Sequence, residues 1–223
     1  MKKMTMTLAM ALAAVTQMMA LTDNEIRQEA RFLSDRMAHE LNLTQQQYED
    51  CYEINYDFIA SINPVMDDVV LGYDDAYDHY YDFLNYRNED LRYVMTDVQY
   101  ASFLNLEYFL RPVYLSANHW LFRIHDIYRG WSFFFNAPYV YSTYFGGHGR
   151  HFHPNGFYGG RYHHRIYDHP HHLHHNRPGS HHIGGGHSSH GYRPESHHER
   201  GGGSSSHHYK GGGESHHERG GGS

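Results

Sequence analysis

Apolar side chains recur every three or four residues through the first half of the chain, which is the pattern of amphipathic helices. The first predicted helix follows Thr22 and carries a stripe of Ile26, Ala30, Leu33, Met37 and Leu41. The second follows Thr44 and ends at Asn63, because Pro64 disfavours helical backbone in the residue before it. Amphipathic helices bury their stripes against one another, so the pattern predicts a small bundle.

Two further helices are predicted after Pro64. One runs from about Tyr73 to Tyr86, with aromatic residues on one side and aspartates on the other. The last begins at Asn88, is bent or restarted at Thr96, and ends before Pro112. The predicted fold class is therefore all-α, a bundle of helical hairpins over residues 21–112.

Three predicted helix starts carry a capping box, in which a threonine is followed three residues later by Glu or Gln; the threonines are Thr22, Thr44 and Thr96. Residues 43–47 read LTQQQ and residues 95–99 read MTDVQ. These two motifs resemble the LTXXQ-motif family of periplasmic proteins, which includes the stress chaperone Spy and the envelope-stress inhibitor CpxP. The resemblance covers about residues 22–111 and implies a periplasmic helical hairpin fold. It implies chaperone activity less firmly, because this domain is acidic and tyrosine-rich where the chaperones are basic and methionine-rich.

Residues 113–145 are rich in aromatic side chains, and the sequence leaves their structure open. A helix between Trp120 and Tyr128 is one alternative, and short strands at 131–135 and 139–144 are the other. We favour a helix or irregular segment that packs on the bundle. If its aromatic surface is exposed, unfolded or envelope proteins are candidate partners.

Composition and charge change near residue 141. Residues 21–140 carry 20 acidic and 8 basic side chains, whereas residues 141–223 carry 5 acidic and 8 basic ones. The acidic first part argues against nucleic acid as a partner, since phosphate binding needs a positive field. Homodimer formation stays open. The only cysteine, Cys51, lies at an apolar helix position and is expected to be buried.

The N-terminus has the layout of a secretory signal peptide over residues 1–20. Lys2 and Lys3 precede an apolar run at 6–15, and cleavage is expected after Ala20, with Ala13 as the alternative. We therefore expect an exported protein that is periplasmic or secreted. The sequence shows no other stretch long and apolar enough for a membrane span.

Residues 146–223 are dominated by Gly, His and Ser, and this composition predicts a disordered tail. Residues 195–204 and 214–223 both read ESHHERGGGS, and each unit offers two imidazoles beside carboxylates. The candidate metal ligands are seven adjacent histidine pairs: His163 and His164, His171 and His172, His174 and His175, His181 and His182, His197 and His198, His207 and His208, and His216 and His217.

Neutral imidazole is a common ligand of Zn²⁺, and it also suits Ni²⁺ and Cu²⁺. No single repeat supplies the four ligands of a tetrahedral zinc site, so several weak, exchangeable sites are expected. The sequence contains no HExxH, no CxxC and no nucleophile elbow, and we do not expect an enzyme. The predicted function is a divalent metal buffer or sensor; the alternative is a chaperone or envelope-stress protein whose tail is a spacer.

Overall fold

The computed structural model describes residues 20–175. The predicted signal peptide, except for its last residue, and the end of the predicted tail lie outside this part of the chain. The described part is mostly helical, and its elements are α1 (Asp23–Glu40), α2 (Gln45–Ile62), a 3-10 turn (Asn63–Val65), α3 (Met66–Leu71), α4 (Asp74–Val94), α5 (Asp97–Leu104), α6 (Glu107–Leu110), β1 (Val113–Ser116), β2 (His119–Phe122) and α7 (Ile124–Ile127). Within residues 20–175 no helix is long and apolar enough to cross a bilayer.

The three predicted capping boxes are all present. Each of Thr22, Thr44 and Thr96 accepts a hydrogen bond from the backbone N–H three residues later, and the Glu or Gln there accepts one in return. The boxes that open α2 and α5 also contact each other, since Gln47 Nε2 donates to Gln99 Oε1 at 2.8 Å. The glutamines of the two motifs therefore join the starts of these two helices.

Helix α2 lies at the centre of the bundle, because it packs against both α1 and α4. The four residues between α1 and α2 allow only a tight connection, which gives an antiparallel hairpin. The predicted stripes of the first two helices form most of the core; their fully buried members are Ala30, Leu33, Met37, Cys51, Tyr52, Ile59 and Ile62. Leu84 and Leu91 of α4 are also fully buried, and α5 contributes Tyr100 and Phe103, whereas its Val98 is exposed. Cys51 is buried as expected, and burial raises the pKa of its thiol.

An arginine fixes the middle of the bundle. The side chain of Arg87 on α4 is buried, and its guanidinium donates to Asn55 Oδ1 at 2.7 Å, Asn88 Oδ1 at 2.8 Å and the carbonyl of Phe109 at 2.9 Å. These neutral oxygens come from α2, α4 and α6. Removal from water lowers the pKa of Arg87 to about 10, so the guanidinium stays charged at neutral pH.

The helix break predicted between Tyr86 and Asn88 is absent. Helix α4 is continuous from Asp74 to Val94, with Arg87 and Asn88 buried in its middle. The Asn88 amide donates to the carbonyl of Leu110 at 3.2 Å. The polar residues that suggested a helix start are therefore hydrogen-bonding residues of the core.

Residues 113–122 form a β-hairpin, which was not predicted, and the short helix α7 and irregular backbone follow it within the segment 113–145. Strands β1 and β2 pair antiparallel, with Val113 opposite Phe122 and Ser116 opposite His119. Val113 and Phe122 are buried, whereas the next residues along each strand are more exposed. The strands considered at 131–135 and 139–144 are absent, since both segments are irregular.

Residues 128–175, called the wrap below, have no helix or strand but pack along the bundle. The sequence placed everything from residue 146 onward in a disordered tail. In the structure Tyr158 and Leu173 belong to the core, with 0% and 4% of their surface exposed. A few widely spaced apolar side chains therefore anchor glycine- and histidine-rich backbone, and the folded part of the chain includes residues 146–175.

Candidate functional site

The structure describes only some of the histidine pairs that were predicted to bind metal. Eight of these histidines lie outside it: His181, His182, His197, His198, His207, His208, His216 and His217. The other six lie at the end of the wrap: His163, His164, His171, His172, His174 and His175. Four of the six are exposed, while His164 and His175 are half-buried.

The end of the wrap runs antiparallel to α4. The carbonyl of Tyr167 accepts from Arg92 Nη1 at 2.6 Å, and further along Leu173 exchanges two backbone hydrogen bonds, of 2.8 and 2.9 Å, with the amide of Asn85. The ring of His175 then stacks on Tyr77 with centroids 4.2 Å apart. Backbone, leucine and tyrosine groups therefore do most of the anchoring.

The described histidines do not converge on a preformed site. Among residues 20–175, no group of three or more His, Cys, Asp or Glu side chains is arranged to hold a metal ion. The ring nitrogens His164 Nε2 and His175 Nδ1 are both buried without a hydrogen-bond partner. The aspartates at the start of α4, beside His79, are not brought together as a cation site either.

A second set of polar residues lies under the wrap. Asp50, Glu53 and Asp57 follow one another at spacings of three and four on α2, so they share one face of the helix. Asp90 of α4 lies beside them, as the carboxylates of Asp57 and Asp90 line the same small cavity. All four side chains are buried, and together they are called the acidic row below.

Residues 144–162 of the wrap, called the clasp below, cover the acidic row. Asp57 accepts from the hydroxyl of Tyr144 at 2.8 Å and from the backbone N–H groups of Gly147, His148 and Gly149 at 3.3, 3.0 and 2.6 Å. Gly147 has a φ of +112°, which strongly favours glycine. A Cβ on Gly149 would lie 3.2 Å from Asp57 Oδ2, so the close approach also depends on glycine.

The remaining carboxylates are each met by a donor of the clasp. Glu53 Oε2 lies 2.8 Å from His148 Nδ1 and accepts from the Tyr158 hydroxyl at 3.2 Å. Asp50 accepts from the Tyr162 hydroxyl at 2.7 Å and lies 3.2 Å from Arg161 Nη2. The clasp thus supplies aromatic hydroxyls, an imidazole and a guanidinium to two consecutive acids of α2.

Asp90 has fewer donors. The backbone N–H of Arg150 donates to Asp90 Oδ2 at 2.8 Å, whereas Nε of the same arginine stays 3.4 Å from Oδ1. Oδ1 is buried without a hydrogen bond. Burial raises the pKa of Asp90 to about 7, although the charge of Arg150 acts in the opposite direction. Burial also raises the pKa values of Asp50, Glu53 and Asp57.

The chemistry of this region is therefore that of a closed seam. The acids accept hydrogen bonds from the protein itself, so they position the clasp and do not present free ligands to a metal ion. No arrangement of a nucleophile, a base and an orienting group stands out among the contacts of the described residues. The accessible chemistry lies in the exposed imidazoles at the end of the wrap.

Comparison with known proteins found no relative of this chain. No protein-family model, curated protein or solved structure matches this chain. The likeness to the LTXXQ-motif family thus depends on residues 43–47 and 95–99 and on the helical pattern around them. Function has to be inferred from the residues and their surroundings.

The acidic row was not predicted, because the local pattern carries no signal for it. Asp50, Glu53 and Asp57 lie roughly opposite the apolar stripe of α2, where acids normally face water. Their partners lie between Tyr144 and Tyr162, 87 to 112 residues later in the chain. Nothing in local periodicity connects segments so far apart.

Proposed function

We propose that this is an exported, non-enzymatic protein that binds divalent metal ions through the histidine pairs of its C-terminal region, as a buffer or sensor. Zn²⁺ is the favoured ion, with Ni²⁺ and Cu²⁺ as alternatives. The supporting observation is that the fold anchors residues 163–175 largely through other groups. His163, His171, His172 and His174 are left exposed.

Imidazoles that are not needed for folding remain available as ligands. An adjacent pair supplies two of the four ligands of a tetrahedral zinc ion, so two pairs must meet on one ion. Glycine-rich connections close such loops at a modest entropic cost. The expected sites are several, weak and exchangeable. Zinc uptake should release protons and fail below about pH 6, because protonated imidazole is not a ligand.

The test is zinc titration by calorimetry at neutral pH on the mature chain and on two full-length histidine variants. Both variants must keep the helices of the unaltered chain. In the first variant the exposed His163, His171, His172 and His174 and all histidines from His181 to His217 become Asn; in the matched control only His39, His79, His119 and His125 do. The first variant should lose most of its bound zinc and the control should keep it. If both bind as much zinc as the unaltered chain, the proposal is wrong.

A further inference from the structure

One part of the clasp is held to the bundle mainly by hydrogen bonds. Residues 145–157, called the clasp loop below, lie between Tyr144 and Tyr158, which are both buried in the core. No residue of the clasp loop itself is buried. Its backbone N–H groups donate to Asp57 and Asp90 over distances of 2.6 to 3.3 Å. The attachment of this loop therefore depends on buried carboxylates more than on apolar packing.

These carboxylates have few positively charged partners. Asp57 accepts from a tyrosine hydroxyl and three backbone N–H groups, all of them neutral. Arg150 lies beside Asp90, but its Nε is 3.4 Å from Oδ1 and makes no hydrogen bond to it. Glu53 contacts the ring of His148, which carries a positive charge when it is protonated.

The other charged groups around the seam do not complete the balance. Asp50 of α2 is paired with Arg161, and Glu89 of α4 is paired with Arg92. Arg87 of α4 lines the same cavity as the aspartates, but it donates to neutral oxygens of α2, α4 and α6. In the part of the chain that the structure describes, two guanidinium groups thus contact the four carboxylates of the acidic row.

A second buried aspartate shows the contrasting arrangement. Asp35 of α1 accepts hydrogen bonds from the backbone N–H groups of Phe134 and Phe135 at 2.9 to 3.1 Å, as Asp57 does from the clasp loop. Its carboxylate is also bonded directly to the guanidinium of Arg36. Because arginine stays protonated, this contact keeps its charge balance throughout the neutral range of pH. The wrap is therefore held by one aspartate with a permanent counter-charge and by another without one.

We propose that the clasp loop is a pH-sensitive latch, which is closed in mildly acidic solution and opens locally as the pH rises through neutrality. A proton on Asp90 removes one buried charge, and a proton on His148 gives Glu53 a counter-charge. Loss of both protons leaves uncompensated carboxylates beneath a loop that has no buried residue of its own. Opening of the loop lets water reach these carboxylates and removes the cost of burying their charge.

The direction of the effect follows from the carboxylates. Burial raises the pKa of Asp90 to about 7, and opening of the loop returns it toward its ordinary value of 3.8. A carboxyl group whose pKa is raised in the closed state stabilises that state at low pH and loses this contribution as the pH rises through the raised value. Burial also raises the pKa values of Glu53 and Asp57, so these groups act in the same direction.

The remaining titratable groups of the seam do not reverse this direction above pH 6.5. Burial lowers the pKa of His151 and the nearby His79 contributes to this, against the effect of Asp57, so His151 acts in the opposite direction mainly below its ordinary value of 6.5. Glu49 adds a negative charge beside Asp50. Burial raises the pKa of the three tyrosine hydroxyls, which therefore stay neutral: Tyr144, Tyr158 and Tyr162.

The test is amide hydrogen exchange of the full mature chain at pH 6 and at pH 8, measured at single residues by NMR with a chelator present. Each rate is divided by the intrinsic rate of that N–H at the same pH, which gives a protection factor that reports local opening. Protection of the Gly147, Gly149 and Arg150 N–H groups should fall about tenfold between these pH values, because the closed loop holds a proton on Asp90 that the open loop releases. The N–H groups of Phe134 and Phe135, which donate to Asp35, should keep their protection.

Two conservative variants assign the effect to the seam. Asp90→Asn keeps the shape of the side chain without its titration, so the fall in protection between pH 6 and pH 8 should be much smaller. His148→Gln cannot become charged, so it should lower protection at pH 6 more than at pH 8. The matched control is Asp168→Asn, which removes a carboxylate of the wrap that is 68% exposed and should keep the tenfold change.

Equal protection of the clasp loop at pH 6 and pH 8 would overturn the proposal. A fall of the same size at Phe134 and Phe135 would also overturn it, because the whole domain and not the clasp loop would then be opening. So would an unchanged pH dependence in both Asp90→Asn and His148→Gln. None of these outcomes depends on whether the histidine pairs bind zinc.

Discussion

Replacing Tyr158 by alanine tests whether the wrap belongs to the fold. The side chain is fully buried in the core, and its hydroxyl donates to Glu53. Truncating a buried aromatic residue to alanine costs about 3–5 kcal/mol, whereas losing the hydroxyl alone costs about 1 kcal/mol. Domains of this kind have a total stability of about 5–15 kcal/mol, so Tyr158→Ala should remove a large fraction of it.

The assay is urea unfolding of the full mature chain, followed by far-UV circular dichroism. With a slope of about 2 kcal/mol per molar urea, the midpoint of Tyr158→Ala should fall by roughly 2 M. Tyr158→Phe should account for about a quarter of this loss. The matched control is Tyr139→Ala in the same wrap, which should change stability by no more than about 0.5 kcal/mol because 86% of that side chain is exposed. Equal midpoints for the two alanine variants would refute the packing of residues 146–175 on the helices.

Two further changes test the buried charges. The pKa of Asp90 is raised in the folded chain to about 7 from an ordinary value of 3.8, so the folded state holds a proton that the unfolded state releases and stability should fall as pH rises from about 4 to about 7. Urea midpoints measured across that range should fall less steeply for Asp90→Asn; an unchanged slope would count against the burial of this acid. Arg87→Ala should lower the free energy of unfolding by about 3 kcal/mol or more, because three buried oxygens lose their donor. Arg165→Ala, whose side chain is 73% exposed, should change it by less than about 0.5 kcal/mol in the same thermal or urea melt.

The helix starts were predictable because their determinants are local. Thr44 and Gln47 are three residues apart, and their hydrogen bonds need no information from the rest of the chain. Helix α2 ends at Ile62, next to the predicted end at Asn63, but Asn63 keeps helical backbone angles and Pro64 lies in the 3-10 turn that follows. Apolar periodicity added the core faces of α1 and α2, including Cys51, but not that of α5, where Val98 is exposed and Tyr100 is buried.

Where the prediction differed from the structure, tertiary contacts decided the outcome. Arg87 and Asn88 are helical because their side chains find buried acceptors on other elements, although polar residues there suggested a break. Glycine-rich backbone after residue 145 is ordered because Asp57 accepts hydrogen bonds from its N–H groups and Glu53 contacts the imidazole of His148. Composition reflects the average entropic cost of ordering such a segment. It does not show that hydrogen-bond acceptors about ninety residues away offset that cost.

The histidine ligands were predicted by type and spacing alone, and the structure adds the surroundings of six of them. Stacking of His175 on Tyr77 could not be foreseen, since it depends on the path of the wrap along α4. His171 and His172 are exposed. Their metal affinity stays a prediction for the titration.

The seam between the acidic row and the clasp also bears on the order in which the molecule assembles. Its hydrogen bonds join residues 60 to 112 positions apart, and contacts over such separations form slowly. A chain made from its N-terminus completes α2 long before Tyr144 and Tyr162 are added. Until then Asp50, Glu53 and Asp57 face water, where ionised carboxylates are well solvated and repel one another between chains. The same acids are thus solvated in the nascent chain and later hold the last segment in place.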